Sequence, residues 1–328
     1  MNVLVTGGGG YLGLYIVKSL LKQKYHVTNL SRKEYTSLVE LEVKTLKCDL
    51  SDKAQVEKID LAAFDAIIHT AALTGVWGDA AEFLRINYQG SQNLLAHAKS
   101  SGIKYFIYTS SPSVVFGKDN LINADETTLY PAFYYTDYAK TKAMAEEEIL
   151  NASNDDFQCM SIRPHLIWGP GDPHLFPRIL QKARAKKLKQ VGDGDNLVDI
   201  TYVENAANAH TDLLTAVVAG KKLGGNAYFI GQERAVNLWS FINEIITINK
   251  VEPVDSMISF KMAFIMGAFL EKIYKLFGIL KPEPPMSRFV ALQLAKSHYF
   301  SHAKAQKDFG YCAKITIEEG IKKTYPNM

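Results

Sequence analysis

Val3-Leu4-Val5-Thr6-Gly7-Gly8-Gly9-Gly10-Tyr11-Leu12-Gly13 opens the chain with a short apolar run, a glycine-rich turn and the start of an amphipathic segment. Gly7 permits a tight turn, Gly10 lets backbone approach a diphosphate, and Gly13 lets a helix lie close to a strand. The free N–H groups of the helix start, with Tyr11 and Leu12 in its first turn, would face that anion. Glycine turns are frequent, so the spacing alone is a weak signal; its place between a strand and a helix strengthens it.

Working outward, Leu12, Ile16, Val17, Leu20 and Leu21 share one helical face. Strand-like runs follow at His26–Leu30, Thr45–Cys48, Ala66–His69, Tyr105–Thr109 and Met160–Arg163, with helical patterns at Glu82–Ser101 and Tyr138–Asn151 between them. Strands alternating with helices predict an α/β fold, a doubly wound parallel sheet of Rossmann type, over residues 1–164. From about Pro164 the loops carry Pro and Gly, and helical segments outnumber strands. A smaller, mostly helical substrate-binding lobe is therefore expected over 165–328, with 197–219 returning to the first domain.

The 328 residues are 47% hydrophobic and 22% charged, which excludes collagen-like, low-complexity and wholly disordered chains. A net charge of +3 gives no electrostatic case for nucleic acid. Cys48, Cys159 and Cys312 form no CxxC or Cys/His cluster, a set that suits a reducing compartment better than disulfides or zinc. A cytoplasmic protein is expected, with no leader, because strand-like sequence begins at Met1. His165 and His174 lack partners at ligand spacing, so no metal is expected. Hydrogen-bonded surface histidines of a Pro/Gly loop are the plain reading, and a border to a substrate carboxylate the functional one. The basic residues Arg178, Lys182, Arg184, Lys186, Lys187 and Lys189 read as a solvated face.

Met262–Leu270 is far shorter than the ~20 apolar residues of a membrane span, so no transmembrane segment is expected. The segment Phe260–Phe277 reads as a core or lid helix. Phe264, Met266, Phe269, Tyr274 and Phe277 nevertheless exceed what one buried stripe needs, which leaves an acyl-lining helix or peripheral membrane contact open. Thr316-Ile317-Glu318-Glu319 has the form of a capping box.

The end of the second strand bears on which dinucleotide would bind. A carboxylate there would take the adenosine ribose hydroxyls, but the sequence is Asn29-Leu30-Ser31-Arg32-Lys33. Arg32 can fork onto a phosphate and Ser31 can add a hydroxyl, which favours NADP(H) over NAD(H). Tyr138 and Lys142 stand four apart and share a helical face. An ammonium beside a phenol favours the phenolate, so Tyr138 could exchange a proton with a carbonyl or alcohol oxygen. Thr109-Ser110-Ser111-Pro112-Ser113 follows a buried strand at the edge where open α/β sheets bind ligands.

In this order, the glycine loop, Asp49-Leu50, His69-Thr70-Ala71-Ala72, the serine loop and Tyr138-x-x-x-Lys142 resemble the extended short-chain dehydrogenase/reductases along essentially the whole chain. The resemblance implies Asp49 and Leu50 at the adenine, Ala71, Ala72, Leu73 and Pro164 along the cofactor, and Ser111, Tyr138 and Lys142 as the catalytic set, with Tyr138 and Lys142 also on the cofactor and Lys142 holding the nicotinamide ribose. Asn87 matches the family's helix asparagine, for which the resemblance implies a structural role or a part in a proton relay. Within the family, Arg163-Pro164-His165-Leu166-Ile167-Trp168-Gly169-Pro170-Gly171-Asp172 resembles the 3β-hydroxysteroid dehydrogenase group. Gly75-Val76-Trp77-Gly78, the serine loop and Val191-Gly192-Asp193-Gly194-Asp195 are closer still to bacterial 2-alkyl-3-oxoalkanoate reductases. Ser111 stands where that group often has Thr, so Ser113 is an alternative hydroxyl.

The expectation is an NADP(H)-dependent oxidoreductase interconverting a hydrophobic ketone and a secondary alcohol, on a long-chain β-keto acid or 3β-hydroxysteroid-like substrate; a homodimer is compatible with it. The alternative is a nucleotide-sugar epimerase or reductase, against which stands Leu166 in place of the Asn typical of those enzymes. A dinucleotide-binding sensor without turnover is a third reading, opposed by the complete Ser/Tyr/Lys set.

Overall fold

The computed structural model describes residues 1–173 and 175–326; the loop histidine His174 lies outside them. Asn2–Thr6 (β1) leads through the glycine turn into Tyr11–Lys22 (α1), and His26–Ser31 (β2) and Lys44–Lys47 (β3) follow. Ala66–His69 (β4), Gly90–Ser100 (α2), Tyr105–Thr109 (β5), Asp137–Asn151 (α3) and Gln158–Pro164 (β6) complete the expected alternation. Val203–Val218 (α4) and Ala227–Ile230 (β7) then return to the same sheet. The seven strands lie in the order β3-β2-β1-β4-β5-β6-β7, and every neighbouring pair is parallel. The doubly wound parallel sheet read from the sequence is the fold of the protein.

Strand residues alternate between two cores. Val3, Val5, Ala66, Ile68 and Ile107 face α1 and α4, whereas Leu4, Ile67, Phe106 and Tyr108 face α2 and α3. Burial on both faces explains why these strands read as continuous apolar runs instead of alternating ones. The seventh strand, which periodicity did not reveal, pairs with β6 across more than sixty intervening residues. The remaining strands beyond Pro164 are two to three residues long, too short to leave a pattern.

Two helical readings change in detail. The helical pattern Glu82–Ser101 resolves into an α turn at Ala80–Phe83, a π turn at Leu84–Gln89 and then α2. In the π turn, the Asn87 side chain donates to the Leu73 carbonyl at 2.9 Å and accepts from its N–H at 2.7 Å, pinning the loop after β4. Phe260–Leu276 (α5) packs on Arg288–Ala295 (α6) so closely that a Cβ on Gly267 would lie 2.5 Å from the Ser287 carbonyl carbon. Of the aromatics that set this helix apart in the sequence, Phe264 faces inward against Tyr135, while Phe269 is 63% exposed. Phe269 therefore does not wall an interior pocket. The terminal capping box forms, with Thr316 and Glu319 satisfying each other's backbone N–H.

The β1–α1 turn is the tightest joint in the sheet. Gly7 has a φ of +71°, and a Cβ on Gly13 would sit 2.1 Å from the Gly7 carbonyl oxygen. Because the obstacle is backbone, Gly13→Ala is expected to cost about 1–3 kcal/mol as the joint is forced apart. Urea unfolding monitored by circular dichroism checks this, and an unchanged midpoint would refute the close packing.

Candidate active site

The carboxyl ends of β1, β2, β4, β5 and β6 open into one cavity of about 510 Å³. Its lining includes Gly7, Gly10, Tyr11, Leu12, Gly13, Ser31, Arg32, Asp49, Leu50, Ala71, Ala72, Ser111, Tyr138, Lys142 and Pro164. Every site residue read from the sequence thus borders a single space, whose size suits a small-molecule cofactor with part of a substrate. Ser113 does not border it.

At one end lies the anion-binding geometry. Gly10 precedes α1 without a capping side chain, and no acid occupies the first turn of the helix. Its N–H groups and dipole therefore favour a negative charge supplied by a ligand. Asn29 is fully buried at the end of β2; it accepts from the Gly8 N–H at 2.9 Å and donates to the Ser31 hydroxyl at 2.9 Å. Ser31 in turn donates to the Lys33 carbonyl at 2.6 Å, while Arg32 is exposed beside the cavity. Burial alone would raise the Asp49 carboxyl. Bonds from the Ser51 hydroxyl and N–H, at 2.7 and 3.0 Å, with Arg85 and Arg32 nearby, hold it below the usual carboxylate range.

At the other end stand Ser111, Tyr138 and Lys142. Ser111 Oγ accepts from the Ser113 hydroxyl at 2.9 Å and from the Ser113 N–H at 3.2 Å, so its own proton is left to donate. Burial pushes the Tyr138 phenol up to about 12, with Ser111 pulling the other way. Lys142 is buried as well; its Nζ donates to the Thr109 carbonyl at 2.5 Å and lies 3.9 Å over the Tyr108 ring. Burial pulls its pKa down to about 7, opposed by Glu146. The expected depression of the phenol by the lysine is not what the structure shows. Desolvation outweighs it, and the ammonium is engaged by a carbonyl and a ring face.

Several groups escaped the sequence reading. Tyr35 also borders the cavity, and its ring covers Gly9 so closely that a Cβ there would overlap it. Glu146, one turn beyond Lys142, accepts from Arg163 Nε at 3.0 and 3.1 Å, from Arg163 Nη2 at 2.8 Å, from Tyr130 at 2.9 Å and from the Ser161 hydroxyl. Its spacing, four residues after Lys142, was the signal that could have found it. His165, by contrast, is not at the cavity: its Nε2 lies 2.6 Å from His298 Nδ1, and burial holds both rings neutral, His298 at about 4. Leu166 takes a left-handed backbone, φ +40°, and does border the cavity. Among the described residues no group of three or more His, Cys, Asp or Glu side chains is arranged to hold a metal ion.

Sheet order, glycine turn and cavity are those of a dinucleotide-binding fold of the extended short-chain dehydrogenase/reductase type. A family model for the 3-beta hydroxysteroid dehydrogenase/isomerase family matches residues 4–261, and the chain belongs to that family. It is 37% identical over 326 residues to a 2-alkyl-3-oxoalkanoate reductase of Stenotrophomonas maltophilia (strain K279a), covering 98% of each chain. It is 32% identical to a decarboxylating sterol-4-alpha-carboxylate 3-dehydrogenase of Candida albicans, covering 98% of this chain and 96% of the relative. Among solved structures it resembles a UDP-glucuronic acid 4-epimerase from Bacillus cereus in complex with NAD. That likeness has a TM-score of 0.74 at 20% identity and covers 99% of this chain and 98% of the other. At that identity the likeness concerns the fold alone.

Glu146 and Arg163 form a buried pair, so Glu146→Ala would strand a buried guanidinium without its counter-ion. The expected loss is about 3–5 kcal/mol in a denaturation experiment. Because the carboxyl is held below its ordinary value, the pair's contribution is present above about pH 4.5 and fades as pH falls. Wild-type stability in Glu146→Ala at neutral pH would contradict the account.

Proposed function

We propose that the protein is an NADP(H)-dependent ketoreductase that interconverts a long-chain 2-alkyl-3-oxoalkanoate, or a similarly apolar β-keto acid or sterol ketone, with its secondary alcohol, in lipid metabolism. The observation that carries the reading is the meeting of Ser111, Tyr138 and Lys142 with the glycine turn in one cavity. The names of the relatives support the substrate class, and Leu166 and Ile167 at the cavity give it an apolar wall where a sugar would need polar partners. In this reading, residues 1–164, with the returning segment 197–219, hold the cofactor. Residues 165–328 contribute the substrate side.

The helix start at Gly10 and the turn at Gly7 fit a diphosphate, and Asp49 and Leu50 fit an adenine. Arg32 and Ser31 fit a ribose 2′-phosphate, for which the Ser31 hydroxyl can turn from the Lys33 carbonyl. Reduced nicotinamide, when bound, is the source of the hydride for the carbonyl carbon. Tyr138, kept protonated by burial, donates its phenolic proton to the carbonyl oxygen, and Ser111 donates a hydrogen bond to the same oxygen. The phenolate left behind would be stabilised by Lys142, on the same helical face, once its ammonium turns toward it from the Thr109 carbonyl. In alcohol oxidation the proton returns to Tyr138.

Following NADPH absorbance with a panel of long-chain β-keto acids, oxosteroids and UDP-sugars tests this directly. Turnover is expected with the first class, and Tyr138→Phe should lower it by ~10²–10⁴ while NADPH still binds. Turnover of UDP-sugars alone, or a Phe variant with normal rates, would overturn the reading. Arg32→Asp should shift preference toward NADH by about 2 kcal/mol or more, since it replaces a charge-assisted pair with repulsion. Equal wild-type affinity for NADH and NADPH would remove the role given to Arg32.

A further inference from the structure

Lys142 carries the positive charge that the proposed reaction needs, yet it is only 2% exposed. The carboxylate that opposes the loss of its proton, Glu146, is already held by Arg163 at 2.8 Å. What Nζ meets directly is the Thr109 carbonyl at 2.5 Å and the face of the Tyr108 ring, whose centroid lies 3.9 Å away. An aromatic face at that distance attracts an ammonium through its negative quadrupole, the more so where water is excluded.

Tyr108 is itself buried and held in place. It pairs in register with His69 across β5 and β4, and the two rings lie 5.5 Å apart. Ser91 donates its hydroxyl proton to the Asn87 carbonyl at 2.6 Å, so His69 Nε2 donates to Ser91 at 2.9 Å and His69 Nδ1 accepts from the Thr6 hydroxyl at 2.6 Å. Both ring nitrogens are thus engaged in one neutral tautomer, and burial, with Lys142 nearby, pulls the His69 pKa down to about 3. The ring beside Tyr108 therefore brings no second positive charge to compete with Lys142. The other ionisable groups around the lysine are Tyr138 one turn back on α3, Glu146 one turn on, and Arg163 on β6 beyond Glu146.

We propose that Tyr108 is a positioning residue for the reaction: its ring is the resting seat of the Lys142 ammonium, holding the buried amine in its charged form until Tyr138 becomes a phenolate and draws it away. A neutral seat suits that task. A carboxylate in the same place would hold the ammonium far more strongly in a dry interior and would cancel the charge meant for the phenolate, whereas a ring face attracts the cation and releases it. The inference rests on the role given to Lys142 under the proposed function, but the seat itself can be tested without turnover.

The experiment follows the titration of Lys142 by nuclear magnetic resonance of the full chain carrying lysine labelled with carbon-13 at Cε, the signal being the one lost in Lys142→Met. Tyr108→Phe keeps the ring and should titrate with the wild type. Tyr108→Leu should titrate about one pH unit lower, a roughly tenfold loss of proton affinity. Because Leu leaves a void in the core, phenylalanines bearing one, two and three ring fluorines at position 108 supply a second series. They preserve shape while stripping the ring face of negative charge, so the Lys142 midpoint should fall with each fluorine while the melting temperature holds. A flat fluorine series, or a folded Leu variant that titrates with the wild type, overturns the proposal. In turnover, the deficit of Tyr108→Leu should be larger above the wild-type midpoint than below it; an equal deficit at every pH would reduce Tyr108 to packing and also overturn it. A wild type that reduces no ketone, but whose Lys142 follows the fluorine series, would fail the proposed function and keep the seat.

Discussion

Glu146 has no access to water, and a carboxylate in that position persists only because Arg163, Tyr130 and Ser161 surround it with donors. The group stands on α3 and its main partner on β6, so the pair ties the helix to the sheet at one angle and one depth. Lys142 and Tyr138 lie one and two turns back along the same face. Their reach into the cavity is set by this buried anchor at the far end of the helix. The anchor also supplies the one charge that opposes the fall of the Lys142 pKa. A purely apolar seam could hold the helix as firmly, but it would let the lysine lose its proton more easily.

The cofactor side depends on a different constraint, the absence of side chains. Gly13 lets α1 approach until its Cα nearly touches the Gly7 carbonyl, and Gly7 itself backs onto Ala71 with no room for a Cβ. These approaches bring the bare start of α1 level with the loop after β4, whose other edge Asn87 holds through both polar groups of Leu73. The Asn87 side chain reaches that backbone from a π turn, where the helix takes up an extra residue. Backbone from three strands thus meets around one opening, with the polar tips of Ser31, Arg32 and Asp49 beside it.

What the sequence made legible was local. The strands β1, β4 and β5 are continuous apolar runs, and their helices carry a 3.6-residue period, so the sheet and its two-sided burial could be read directly. The glycine turn and the Tyr138/Lys142 spacing were legible for the same reason, since each is complete within a dozen residues. The seventh strand was not, because Ala227-Tyr228-Phe229-Ile230 is four residues long and its partner lies far back in the chain. Nor was the fate of Tyr138: neighbouring charge argued for a lower pKa, and only the depth of burial shows that desolvation wins. His165 looked like a loop residue because nothing near it in sequence announces His298.

The segment 260–280 shows how composition can be informative about function while leaving orientation open. An excess of aromatic and aliphatic side chains on one helix has two physical outlets, a pocket wall or an exposed face, and the sequence cannot separate them without knowing which side meets α6. Gly267 settles the matter, since the closest approach of α5 to its neighbour is through a residue with no side chain at all. Close contact on that side turns Met262, Ile265, Met266 and Phe269 outward together. The same helix carries Phe264 and Tyr274 inward, where they meet the rings of Tyr135 and Trp77 edge-on.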